Sequence, residues 1–171
     1  MRREQRLRRR RRKRRRRRGE RRLVIDQKTF LAQLDQPRIV EAIRGAERNT
    51  SGEIRVHVQP KARGGELRWV AERTFERLGM TKTAERNGVL LFIAAEENRF
   101  VILGDQGIDA KVPTGFWDDI AAKLTIHFKN GEFTDGIVEA IEAAGEHLKE
   151  FFPRREDDVN ELSDDIDVSD D

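Results

Sequence analysis

The chain has 171 residues, 39% of them Asp, Glu, Lys or Arg, no cysteine and a formal net charge of +3. That length supports one domain with a real core, and the missing cysteine excludes disulfides, thiolate catalysis and cysteine-based zinc sites. His57, His127 and His147 never pair at helical zinc spacing, and no apolar run approaches the ~20 residues that span a bilayer.

Residues 1–22 hold 16 Lys and Arg against Glu4 and Glu20, a net of +14. Like charges at this density repel and leave nothing apolar to bury, so the arginine-rich arm is expected to be disordered. Arginines that neutralise phosphates release counterions, so residues 2–22 could hold RNA or DNA without sequence preference. Association with the acidic C-terminus, within or between chains, and a start codon placed too early are the other readings of such a tract. Leu23, Val24 and Ile25 precede Asp26, which is too little for the ~7–15 apolar residues of a secretory signal. The expectation is a cytoplasmic protein.

The folded part is expected over residues 23–153. Ile25 to Leu34 suggests a short helix or packing segment. Asp35 can cap the next helix, with Pro37 just inside it and Ile39, Ala42, Ile43 and Ala46 at helical spacing. After the turn cluster Asn49-Thr50-Ser51-Gly52, residues Glu53 to Gln59 alternate strictly. Ile54, Val56 and Val58 predict a buried face, and Glu53, Arg55, His57 and Gln59 a polar one. The helix Glu66 to Leu78 follows, with Leu67, Val70, Ala71, Thr74, Phe75 and Leu78 in one stripe and Trp69 off it.

Gly88 to Ala94 and Arg99 to Leu103 read as a β-hairpin around Ala95-Glu96-Glu97-Asn98. Neither face of the first hairpin strand is polar, so a layer must cover each side. Helices are then expected from Pro113 to about Lys129 and from a Thr134 cap to Phe151, ended by Pro153. Residues 153–171 hold nine acids against Arg154 and Arg155, and a disordered acidic tail is expected over residues 154–171. The fold class is α/β, a small mixed β-sheet sandwiched between helices.

Gly104-Asp105-Gln106-Gly107-Ile108-Asp109 leaves the second hairpin strand, where ligands of open α/β sheets bind. Asp105 and Asp109 are candidate ligands for calcium or magnesium, which take carboxylate and carbonyl oxygens. Gly104, Gly107, Arg99 and Asn87 are the candidate ligand-binding residues beside them. The bland reading is turn chemistry, with the glycines supplying dihedrals and the aspartates bonding local backbone. Arg55 could bind phosphate and His57 could act as acid or base, although a solvated arginine and a strand histidine are the commoner cases. No catalytic residue is assigned, since no Asp-x-Asp follows a strand and the histidines are scattered.

The segment Thr50-Ser51-Gly52-Glu53-Ile54-Arg55-Val56-His57-Val58, the strand Arg86-Asn87-Gly88-Val89-Leu90-Leu91-Phe92-Ile93-Ala94 with Arg99, the glycine loop and Gly131-Glu132-Phe133-Thr134-Asp135-Gly136-Ile137 together resemble the TPM-domain family, in its short bacterial form. The resemblance covers residues 35–153 and extends to Asn160-Glu161-Leu162. It implies a Rossmann-like three-layer sandwich. Members include a thylakoid factor in photosystem II repair and an accessory subunit of a nematode acetylcholine receptor, and acid phosphatase activity and calcium binding are attributed to some. Long members read Gly-Tyr-Gly-Leu-Glu at the loop, where this chain adds a residue, lacks the aromatic and has Asp105. The expected function is a non-catalytic binding or accessory factor for a protein partner. The alternatives are a metal-assisted acid phosphatase using the Asp105/Asp109 loop and a nucleic-acid-associated protein acting through the arm.

Overall fold

The structure, a computed structural model, describes residues 25–170, so the expectations for the arginine-rich arm lie outside the described residues. Two short helices open the domain, α1 (Gln27–Ala32) and α2 (Gln36–Glu47), capped by Asp26 and Asp35 through their carboxylates. Strand β1 (Glu53–Gln59) leads into α3 (Leu67–Arg77), and β2 (Gly88–Ala94) and β3 (Arg99–Gly104) form the hairpin. The chain then makes one helical turn, α4 (Gln106–Asp109), and the long helices α5 (Phe116–Asn130) and α6 (Phe133–Phe151). Helix α5 begins three residues after Pro113, and Glu132, not Thr134, occupies the N-cap of α6. The Thr134 hydroxyl instead accepts the Asp35 N–H at 3.0 Å.

A four-stranded mixed sheet runs in the order β3-β2-β1-β4, where β4 is Asp167–Val168. Strands β1 and β2 are parallel, with Ile54 beside Val89 and Val58 beside Ile93, so α3 is the crossover between them. Strands β2 and β3 are antiparallel. Ile54, Val56, Val58, Val89, Leu91 and Ile93 pack beneath α1, α2, α5 and α6. Leu90, Phe92, Ala94 and Leu103 pack on the opposite face beneath α3 and Met80. This is the expected three-layer α/β arrangement. Phe92 packs with Phe75, whereas Leu124 belongs to the opposite layer.

On the α6 side, Phe30, Phe100, Phe128 and Phe133 meet edge to face, with ring centroids 5.0–6.2 Å apart. Ridges of α2 and α6 approach so closely that a Cβ on Gly145 would lie 2.6 Å from that of Ala46. Among the described residues no helix is long and apolar enough to cross a membrane.

Two sequence expectations are corrected. All seven residues of β1 are buried, including the face expected to be polar and open. The reason is the second correction, since residues 154–170 are not a free tail but lie along the outer edge of β1. There Asp167–Val168 forms β4, parallel to His57–Val58. Leu162 joins the α3-side core and Ile166 the other, so two apolar side chains anchor an acidic segment.

Phe92 is fully buried in a central strand. Phe92→Ala is expected to cost about 3–5 kcal/mol in a urea unfolding titration, and a loss below about 1 kcal/mol would place this strand outside the core.

Candidate functional site

The glycine–aspartate loop is built from the residues it touches. Asp105 is buried, and its carboxylate meets the Arg86 guanidinium two-to-two, Nε to Oδ2 at 2.6 Å and Nη2 to Oδ1 at 2.8 Å. It also caps α4 by accepting the Gln106 N–H. These bonds raise the pKa of Arg86 above its already high ordinary value. Arg86 itself has φ of 52°, a left-handed backbone that side chains seldom adopt. Its carbonyl accepts the Gly107 N–H at 2.8 Å. A Cβ on Gly107 would lie 2.2 Å from the Glu85 carbonyl oxygen, so this close approach demands glycine. Gly104 serves the same end, because a Cβ there would strike Asp109 and Trp117, whose Nε1–H donates to Asp109 Oδ1 at 2.8 Å.

The structure therefore gathers Gly104, Asp105, Gly107 and Asp109 but commits the carboxylates to Arg86 and Trp117. Calcium takes six to eight oxygens, and a loop whose Asp105 oxygens both face a guanidinium does not fit one. Among the described residues no three His, Asp or Glu side chains form a metal-holding group. Asn87 sits at this end of the sheet and donates to Ser51 Oγ at 3.2 Å, leaving its own buried carbonyl oxygen without a partner. Arg99 does not join them. It opens β3 opposite Ala94, at the far end of the strand from Gly104, about 17 Å along.

Two further polar clusters involve the C-terminal segment. Glu47 is buried and accepts the Ile54 N–H at 2.8 Å. Burial pushes its pKa up to about 8, so at neutral pH it is protonated and can donate to Asp164. Burial also raises Glu53, despite hydrogen bonds from the Glu161 and Leu162 N–H groups. Asp164 behaves oppositely. Burial works to raise it, but bonds from Asn160, Arg44 and Glu47 hold it below its ordinary value.

On the α3 face of β1, His57 is completely buried against Phe92, ring centroids 5.1 Å apart. Its Nδ1 lies 2.7 Å from Asp167 Oδ2 and its Nε2 lies 2.9 Å from Gln59 Oε1. The Gln59 amide nitrogen donates to the Lys61 carbonyl, which fixes Oε1 toward the ring. Both ring nitrogens thus face acceptors, and only a ring with hydrogen on each can donate to both. Asp167 Oδ2 also receives Arg77 Nη2 at 3.1 Å. Burial raises the Asp167 pKa, but the bonds from His57 and Arg77 outweigh it and keep the carboxylate charged. Between Glu53 and His57, Arg55 is only 8% exposed, its Nε has no partner, and it makes no hydrogen bond or ion pair among the described residues.

Sequence reasoning singled out Arg55 and His57 but missed Asp167, Asp164 and Glu47. The available signal was the pair Leu162 and Ile166 in an otherwise acidic segment, apolar residues that anchor it. Trp69 is 46% exposed, with Gly65 close to its ring and the Arg73 guanidinium 4.9 Å from the ring centroid.

A family model described as the TPM domain matches residues 24–147. Among solved structures, the NMR structure of the BA42 protein from the psychrophilic bacterium Bizionia argentinensis is similar, at 42% sequence identity and a TM-score of 0.72. That match covers 78% of this chain and 92% of the other. No curated protein matches.

Two outcomes test this geometry. Gly107→Ala should destabilise the fold by about 1–3 kcal/mol or more, as overpacking against backbone does, whereas Gly131→Ala, at φ 78° in open space, should cost only about 1 kcal/mol. Chemical denaturation of both variants ranks them, and equal losses would mean the loop is not held as described. For Glu47 the folded pKa near 8 lies above the ordinary 4.5, so the folded chain carries the extra proton between those values. Stability should therefore fall as pH rises through that window, with a limiting slope of about 1.4 kcal/mol per pH unit, and level off above it. Glu47→Gln, which keeps the bond to Ile54, should flatten that slope, and an unchanged profile would remove Glu47 as its source.

Proposed function

The chain belongs to the TPM-domain family, and from that premise we propose a non-catalytic binding or accessory protein that takes an extended segment of a protein partner along β3. One observation carries this reading. Strand β3 has no neighbour on its outer side among the described residues, and a groove of about 490 Å³ runs beside it. Arg68 of α3 lines the groove from one layer, and Trp117, Asp118 and Ala121 of α5 from the other, with Phe100 and Ile102 forming its floor.

The hydrogen-bond phase suits a fifth strand. Asp105 donates to the Gly88 carbonyl, and the antiparallel register then turns the backbone groups of Val101 and Leu103 inward to β2. Phe100, Ile102 and Gly104 alternate with them and present theirs outward. An added strand gains main-chain hydrogen bonds from this edge, and selectivity comes from side chains in the groove. The loop anchored by Arg86 and Asp105 fixes the end of the strand, a supporting role consistent with both aspartates being internally bonded.

Ala121→Arg fills the groove without removing a core contact. Affinity capture from native cells with full-length protein should show a partner whose retention drops at least tenfold in this variant, with the melting temperature within a few degrees. Retention unchanged by Ala121→Arg would reject the groove. Turnover of phenyl phosphate with calcium or magnesium, lost in Asp105→Asn with Asp109→Asn, would replace this reading with the metal-assisted phosphatase.

A further inference from the structure

Arg55 is only 8% exposed, and its Nε is buried without a partner among the described residues. Removing a charge from water is unfavourable unless an opposite charge and hydrogen bonds replace the lost solvation. Its neighbours at i±2 on β1 are both served by the C-terminal segment, Glu53 by the Glu161 N–H and His57 by Asp167. Arg55, between them, is left without a partner among the described residues.

The register shows why. Strand β4 pairs in parallel with β1, Asp167 beside His57 and Val168 beside Val58, and it begins only at Asp167. Continued two residues backward, the same register would bring position 165 beside Arg55. The chain carries an aspartate there, but the preceding segment turns away. Asp165 donates its N–H to Ser163 Oγ, while Asp164 is drawn off to Arg44 and Asn160. The intramolecular strand therefore fills half of a site whose donors, Arg55 and His57, stand two residues apart on one strand face, with Arg77 reinforcing the second.

We propose that this edge of β1 is a docking site for an acidic strand from a partner protein, parallel to β1, with carboxylates at alternate positions. One carboxylate pairs with Arg55 and the next takes the place of Asp167 between His57 and Arg77. The chain's own Asp165-Ile166-Asp167 is a resident stand-in that a longer acidic strand displaces. Spacing sets the specificity, because side chains two apart share a strand face. Two-residue pairing makes exchange feasible, since β4 contributes few ladder bonds. The inference concerns the sheet edge opposite the β3 groove and stands whether or not that groove is used.

The test uses full-length protein carrying Asp167→Asn, which weakens the resident strand, and a fluorescent peptide with the sequence of residues 160–170. Anisotropy should show saturable binding at least tenfold tighter than to the unaltered chain. The peptide form of Asp165→Asn should bind at least tenfold more weakly, and so should protein with Arg55→Gln added. Arg55→Lys should restore part of the loss. Since Arg55 has no partner among the described residues, Arg55→Gln alone should not lower the melting temperature, which separates a binding defect from misfolding. Binding indifferent to Arg55 and to Asp165 of the peptide would overturn the proposal. So would inorganic phosphate that binds the site while the peptide does not. Dimerisation of the unaltered chain that Asp167→Asn abolishes would overturn it in favour of a second copy's tail.

Discussion

The dependence of β1 on a strand more than a hundred residues later constrains the whole molecule. A central parallel strand lies under a helix layer on each face, so Glu53, Arg55, His57 and Gln59 are all drawn out of water. Buried polar groups require partners, and α3 brings an apolar stripe. The partners must therefore arrive from the sheet edge. For His57 and Glu53, Asp167 and the Glu161 N–H supply them, across sequence separations of 110 and 108 residues. The domain's last segment is thus part of its core chemistry, even though its composition is that of a solvated tail.

The same arrangement explains the electrostatics at the opening end of the sheet. Glu47, Glu53 and Asp164 are crowded where α2 turns into β1, and three ionised carboxylates could not share that space. The conflict is resolved by protonating Glu47, whose burial pushes its pKa up to about 8, while Arg44 and Asn160 keep Asp164 charged. The attachment of the C-terminal segment therefore rests partly on a proton and partly on salt bridges. Exposed ion pairs of this kind contribute little alone, so the anchoring apolar residues Leu162 and Ile166 matter as much as the charges.

The glycine–aspartate loop illustrates how a site-like pattern can serve architecture. Two glycines and two aspartates after a central strand have the composition of a cation loop. In the fold, each glycine makes room for a neighbour, Gly104 for Asp109 and Trp117, Gly107 for the backbone at Glu85. Each aspartate holds a donor that the loop itself brings close. What remains open at this end is the backbone of β3 and the groove beside it, a surface suited to recognition by strand addition.

Local pattern was enough for the elements and the layers. Strict alternation marked β1, two-sided apolar runs marked the β2–β3 hairpin, and helical stripes marked α2, α3, α5 and α6, because burial by one face leaves its period in the sequence. The same pattern placed Gly104, Asp105, Gly107 and Asp109 together, since they are adjacent in the chain. It could not show that Arg86 would neutralise Asp105 across the hairpin, or that Arg99 would end up at the far end of β3. Nor could it show that the polar face of β1 is buried, because that depends on an acidic segment whose affinity lies in pairing with His57, Arg77 and Arg44. Periodicity records which side of an element faces apolar neighbours. The partners of buried charges are chosen by three-dimensional proximity, and only the tertiary structure decides them.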